Sequence, residues 1–301
     1  MILVTGTSGF IGSHVADHLV AGGVPAVFVR RRPGGPEGLD AGVHRVAQVD
    51  LADVDALTRV LRESEVDTVL QLATGGWRPL RRAVEGGPLL LATVLDACQG
   101  AGVRRLVAGS SLAVFGPGTP GPFPEEPAPA DRLGLEGPGL FKRWEEQLAA
   151  AAGDGPSVQV VRMPMVYGPR YASMVNLPAR ICRAIATGTE LRVTAPPYAD
   201  FAHVDDIARG LVELCRSDAT GPVYHLAAGE DVGRDDVVAA AEAAGADDRT
   251  LGVLAGLPAW DPRRRLDITR AGAEFGFAPR LPLREGMRRY VAALRTAGVV
   301  A

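Results

Sequence analysis

The chain has 301 residues, 47% of them apolar, a formal net charge of −3 and a pI near 6, so it can bury a sizeable core and carries no basic stripe for nucleic acid. No apolar run approaches the roughly 20 residues that span a bilayer, and no charged leader precedes the apolar run Ile2 to Val4. With three scattered cysteines, Cys98, Cys182 and Cys215, the expectation is a cytoplasmic protein with reduced thiols, a small-molecule substrate, and neither nucleic acid nor membrane as partner.

The first segment, "ILVTGTSGFIGSHVADHLVAGG", reads as a strand, a tight turn and a helix whose Ile11, Val15 and Leu19 recur at helical spacing. Gly6, Gly9 and Gly12 lie where a turn must be tight and a backbone must approach a pyrophosphate, which the free N–H groups of the helix start attract. Gly6, Thr7, Ser8, Gly9, Phe10, Ile11 and Gly12 are therefore expected to bind a dinucleotide; a plain βα turn is the alternative.

The second strand, "PAVFVR", ends in Arg30, Arg31 and Arg32, where enzymes that use NAD usually place an acid for the adenosine ribose. Guanidinium groups suit a 2'-phosphate, so Arg30 and Arg31 point to NADP(H), a solvated basic turn being the alternative. Asp50 and Leu51 in "VDLAD" are expected to flank the adenine, and Leu72, Ala73 and Thr74 end the next strand over the cofactor.

Further strands follow in "RRLVAGSS" and "SVQVVRMPMVYG", separated by a Pro/Gly-rich excursion from Phe115 to Gly139 and by the helix "EGPGLFKRWEEQL". This alternation predicts an α/β fold, a parallel sheet with helices on both faces. After about residue 170 the pattern loosens into helices, which predicts a smaller lobe interleaved with the first domain. The expected division is 1–168 with a return segment at about 200–228, and a lobe from 169–199 and 229–301.

In order and spacing, "TGTSGFIG", "VDLAD", "AGSSLAVFG", "FKRWEEQL", "VRMPMVYGPR", "DFAHVDDIARG" and "YHLAAGE" resemble the extended short-chain dehydrogenase/reductases, the group that includes nucleotide-sugar epimerases and dehydratases. The resemblance spans nearly the whole chain. It implies a Rossmann-like, doubly wound sheet of about seven parallel strands, a C-terminal substrate lobe, and a hydroxyl, tyrosine and lysine as the catalytic set. Ser111 falls on the hydroxyl position, Lys142 on the lysine position that holds the nicotinamide ribose, and Pro164 and Val166 on cofactor-lining positions. The family tyrosine precedes its lysine by four residues, and that position is Pro138.

None of the five tyrosines, Tyr167, Tyr171, Tyr198, Tyr224 and Tyr290, lies between the glycine loop and Lys142. Proline suits the first turn of a helix but cannot give a proton, and a positioned general acid contributes about 10² to 10⁴ in rate. Three replacements are conceivable: Ser111 with a water, Tyr167 or Tyr198 from the lobe, or an acidic phenol on the substrate. The last resembles the atypical, tyrosine-lacking ketoreductases of angucyclinone antibiotic pathways, and implies an NADPH-dependent ketoreductase acting on an aromatic polyketide. The loop Gly116 to Gly139 with Trp77 and Trp144 is then expected to wall its pocket.

Departures from the sugar-nucleotide branch point the same way. Ala199 stands where an arginine often grips a diphosphate, and Leu112 and Ala113 stand where dehydratases carry an Asp-Glu pair. Arg263 to Arg265 read as a solvated face rather than a phosphate clamp. His14 and His18 lack a third metal ligand, and Asp205 and Asp206 read as caps of an amphipathic helix. The alternatives are a catalytically silent NADP-binding partner protein and a nucleotide-sugar epimerase or dehydratase. The helix pair through which relatives often dimerise is interrupted at Glu85 to Pro88, leaving both monomer and homodimer open.

Overall fold

The computed structural model describes residues 1–76, 79–116, 119–126, 137–171, 176–196 and 199–298. In chain order its strands are β1 (Ile2–Val4), β2 (Ala26–Arg30), β3 (His44–Gln48), β4 (Thr68–Gln71), β5 (Arg105–Ser111), β6 (Ser157–Met163), β7 (Met165–Tyr167), β8 (Phe201–His203) and β9 (Val223–His225). The helices are α1 (Phe10–Ala21), α2 (Val54–Glu63), α3 (Leu80–Glu85), α4 (Pro88–Ala101), α5 (Pro138–Ala150), α6 (Leu177–Thr187), α7 (Val204–Arg216), α8 (Arg234–Ala243), α9 (Asp248–Ala255), α10 (Thr269–Phe275) and α11 (Leu283–Thr296).

Seven strands form one parallel sheet in the order β3-β2-β1-β4-β5-β6-β9, the doubly wound Rossmann-like arrangement, and β7 and β8 pair separately. Strand periodicity divides the side chains between two faces. Leu3, Val27, Val29, Val69 and Leu106 pack with Leu57 and Leu61 of α2 and Leu91 and Val94 of α4. Ile2, Val4, Phe28, Leu70 and Val107 pack on the opposite face with Val15 and Leu19 of α1 and Ile207 and Leu211 of α7. A further apolar core gathers α6, α8, α9 and α11 around Tyr167, Phe201, Met287 and Tyr290. The chain order reverses between β1 and β4, and at such a switch point a crevice opens at the carboxyl ends of the strands. Among the described residues no helix is long and apolar enough to cross a membrane.

The start of α7 differs from the sequence expectation. Asp205 and Asp206 do not cap it; the cap is His203, whose Nδ1 accepts the Asp205 N–H at 3.3 Å. Asp206 instead accepts the N–H groups of Arg280 and Leu281 and pairs with Arg209. Asp205 faces His18 Nε2 at 3.4 Å and His14 Nδ1 at 3.8 Å across the α1–α7 contact, and hydrogen bonding to His14 and then His18 holds its carboxyl far below the usual range. The two histidines thus serve a helix–helix contact, and among the described residues no group of side chains is arranged to hold a metal.

Burial lowers the His203 imidazole to about 4. A histidine depressed on folding contributes stability that is present above its unfolded value near 6.5 and is lost as pH falls towards about 4, because the unfolded chain then binds the extra proton. His203→Asn keeps an acceptor for the Asp205 N–H and removes the titrating ring. The slope of melting temperature against pH between about 6.5 and 4.5 is therefore expected to be shallower in the variant; parallel slopes in thermal scans would refute this.

Candidate active site

The glycine loop joins β1 to α1 as the spacing predicts, and its glycines are required by contact. Gly6 has φ +72°, and a Cβ there would sit 2.7 Å from the Ala73 nitrogen; one on Gly12 would sit 2.2 Å from the Gly6 carbonyl oxygen. Thr5 ties the turn down: its hydroxyl donates to Gln71 Oε1 at 2.6 Å and accepts the N–H groups of Leu72 and Ala73 at 3.1 Å. Gly9 caps α1 without a side chain, so the first-turn N–H groups face an open cavity.

That cavity, about 1080 Å³, runs along the carboxyl ends of the central strands. Gly6, Ser8, Gly9, Phe10, Ile11 and Gly12 line one part, with Arg30, Arg31, Asp50 and Leu51 beyond them. Leu72, Ala73 and Thr74 follow, then Ser111, Lys142, Pro164 and Val166. Thr7 corrects the expectation: it is buried away from the cavity, its hydroxyl donating to the Val29 carbonyl at 3.4 Å. Arg31 is exposed and Arg30 half-buried.

Ser111 and Lys142 are brought together by a close helix–strand approach. Ser111 ends β5, and its Oγ accepts the Ala113 N–H at 3.2 Å, leaving the hydroxyl hydrogen to donate. Pro138 opens α5 in its first turn, and a Cβ on the next residue, Gly139, would lie 2.6 Å from the Ala113 carbonyl oxygen. The helix carrying Lys142 can thus press on the turn that follows Ser111. One turn along α5, Lys142 Nζ donates to the Gly109 carbonyl at 2.9 Å and to Glu145 Oε2 at 2.6 Å.

Beneath this surface α5 is fixed by charge. Arg162 on β6 is fully buried; its Nε and Nη2 donate to the two carboxylate oxygens of Glu146 at 2.9 and 2.7 Å, and its Nη1 to the Glu126 carbonyl at 2.7 Å. Ser110 donates to the same Glu146 oxygen as Nε, at 2.6 Å.

Other expectations are corrected. Tyr167 does not reach the cavity: it is fully buried, its hydroxyl donates to the Leu283 carbonyl at 3.4 Å, and burial pushes its ionisation well above the ordinary value. Trp144 does not line the cavity either; it is partly exposed and packs edge-on against Phe141 at 5.6 Å. Tyr198 and Trp77 lie outside the described residues, as do most positions of the Pro/Gly-rich excursion. In the arginine run, Arg263 pairs with Asp261, Arg265 pairs with Asp231, and Arg264 donates to the Thr119 and Gly116 carbonyls, so Arg264 is a tie across the fold rather than a solvated side chain.

The structure adds Arg82, Glu85, Tyr171 and Asn176 to the cavity wall. Tyr171 packs on Phe10 with ring centroids 4.8 Å apart, and it is the tyrosine that lines the cavity among the described residues. Asn176 caps α6, accepting the Ala179 N–H, and donates to the Val166 carbonyl at 2.7 Å. An asparagine before Leu-Pro at a helix start is a capping signature visible in the sequence; nothing in the sequence places Tyr171 against Phe10.

Glu146→Ala would leave the Arg162 charge buried without its carboxylate partner, which typically costs about 3 to 5 kcal/mol. Urea unfolding is expected to show a loss of that size, and a loss below about 1 kcal/mol would contradict the pairing.

Residues 2–229 match a family model described as the NAD dependent epimerase/dehydratase family. A dTDP-glucose 4,6-dehydratase of Streptomyces griseus is 30% identical, over 97% of this chain and 93% of its own length. The structure of MoeE5 in complex with UDP-glucuronic acid and NAD superposes with a TM-score of 0.77 at 28% identity, covering 98% of this chain and 99% of that one. That of the Thermus thermophilus UDP-glucose 4-epimerase complex with NAD gives 0.74 at 25% identity, covering 98% and 99%. With the glycine loop, the parallel sheet and the lysine helix in place, this chain belongs to the NAD-dependent epimerase/dehydratase family.

Proposed function

We propose that the protein is a nicotinamide-dinucleotide-dependent oxidoreductase, with NADP(H) as its cofactor, that reduces a carbonyl group of a small molecule. The cofactor fits the residues present: Gly6 and Gly12 keep the cradle free of side chains, and the open N-terminus of α1 faces it. Arg30 and Arg31 would hold the 2'-phosphate, and Ser111, Lys142, Pro164 and Val166 would surround the nicotinamide end. The bound cofactor supplies the hydride. Ser111 is free to donate its hydroxyl hydrogen to a carbonyl oxygen, and Lys142 presents a positive charge to the same cavity.

One observation carries the direction of the reaction: Pro138 occupies the turn of α5 before Lys142. Epimerisation and dehydration begin by oxidising a hydroxyl, which needs a base to take its proton. Reduction of an activated ketone needs only a proton donor, and an ortho-phenol on the substrate or a water meets that need. A phenolic aromatic ketone is the substrate of this reading.

A nucleotide sugar is the second reading, and it rests on the relatives, whose names are those of nucleotide-sugar enzymes; none of those named here acts by name on a polyketide. Against it stand Ala199, which is fully buried, and the internal engagement of Arg264 and Arg265.

NADPH oxidation is expected with an ortho-hydroxy aryl ketone and is expected to persist in Tyr167→Phe. Turnover of UDP-glucuronic acid or dTDP-glucose with no reduction of the ketone would favour the second reading instead. For the cofactor, Arg30→Ala with Arg31→Ala should weaken NADPH about 10- to 100-fold, the size of one charged hydrogen bond lost, and NADH by less than about 3-fold. Calorimetric titrations showing equal losses would remove the NADP(H) assignment.

A further inference from the structure

Lys142 is the chain's single lysine, and its partner is unusual in its surroundings. The Lys142 and Glu145 side chains are only 12% and 11% exposed, unlike an ordinary helix-surface pair at this spacing. Glu145 Oε2 accepts from Lys142 Nζ at 2.6 Å, while Oε1 is buried with no hydrogen-bond partner among the described residues. Oε1 faces the backbone of Gly87, where even a Cβ would come within 3.0 Å of it. Burial raises the pKa of the Glu145 carboxyl, and the Lys142 charge opposes that rise.

An ammonium has three N–H groups. Two are engaged by Gly109 and Glu145, and the third is left for the cavity that Lys142 lines.

We propose that Glu145 is a positioning residue of this site, fixing the Lys142 ammonium against β5 so that Lys142 passes on the proton the absent tyrosine would give. The proposal rests on the carbonyl-reducing reading above. In that reaction the oxygen that gains negative charge takes a proton from Nζ, the nitrogen keeps the electron pair of the broken N–H bond, and the amine takes a proton back from the ortho-phenol or water of that reading. Glu146, one residue further on, does not share the task, because both its oxygens are held by Arg162.

The single lysine makes the test direct, since only the Lys142 and Met1 amines react with acetic anhydride and the Met1 amine serves as internal reference. Losing a charge-assisted hydrogen bond is worth about tenfold or more, and Nζ held by Glu145 at 2.6 Å is withdrawn from acylation by that factor. At pH 8 the ratio of Lys142 to Met1 acetylation, read by mass spectrometry, is therefore expected to rise at least tenfold in Glu145→Gln and to stay near the unmutated value in Glu145→Asp. No rise in Glu145→Gln, or an equal rise in both, overturns the proposal. Should Glu145→Gln fail to fold, Glu145→Met, of similar length and without a carboxylate, decides. Its ratio must rise as well, and a ratio equal to the unmutated one overturns the proposal. NADP⁺ at saturating concentration should lower Lys142 acetylation further. Loss of that protection with the Glu145 effect intact would sink the cofactor reading and leave the pair standing.

Discussion

The site depends on one buried ion pair. Arg162 has no access to water, so its guanidinium must find every partner inside the fold, and Glu146 supplies two of them from α5. The pair fixes how far along β6 the helix sits, and the Ser110 hydroxyl, bonded to the same carboxylate, ties β5 to that register. Lys142 lies one turn before Glu146 on the same helix and Ser111 one residue after Ser110 on the same strand. Two residues that must meet at the cavity are thus each placed by a neighbour that meets beneath it. The absence of a Cβ at Gly139 completes the arrangement by letting the start of α5 touch the Ala113 carbonyl.

What was legible in the sequence follows from how local each cause is. The glycine loop was readable because close backbone approach acts within a few residues and only glycine satisfies it. The parallel sheet was readable because strands buried on both faces leave short continuous apolar runs, whereas the count of about seven strands came with the family resemblance. Pro138 was readable as a helix opener because proline's missing donor belongs there. The role of Asp205 was not readable, since the choice between capping its own helix and facing two histidines of another depends on how α1 packs on α7. Arg263 to Arg265 form a run in which each residue has a separate partner, and those partners lie up to 148 positions away in the chain. Tyr171 likewise reaches the cavity through a contact with Phe10 that local pattern does not encode.

The inventory of proton-bearing groups in the cavity has consequences for the chemistry. Tyr167, the tyrosine in the family-like segment "MVYGPR", serves the apolar core among α6, α8 and α11, where its hydroxyl meets a backbone carbonyl. Ser111 has a hydrogen to donate but no basic partner among its described contacts. Asp50, Glu85 and Tyr171 also line the cavity, whereas Pro138 contributes no titratable group to the start of α5.

That inventory also bears on why a chain that otherwise uses arginine keeps one lysine. A guanidinium is a planar fork suited to bidentate acceptors, as Arg162 shows with Glu146. The position on α5 offers two separate acceptors, a carbonyl of β5 and a carboxylate one turn ahead, and leaves a third direction open to the cavity. A compact ammonium with three rotatable donors satisfies both and still faces a ligand, and unlike a guanidinium it can release a proton. The geometry that suits a lysine better than an arginine at residue 142 is thus the geometry that leaves one N–H for the cavity.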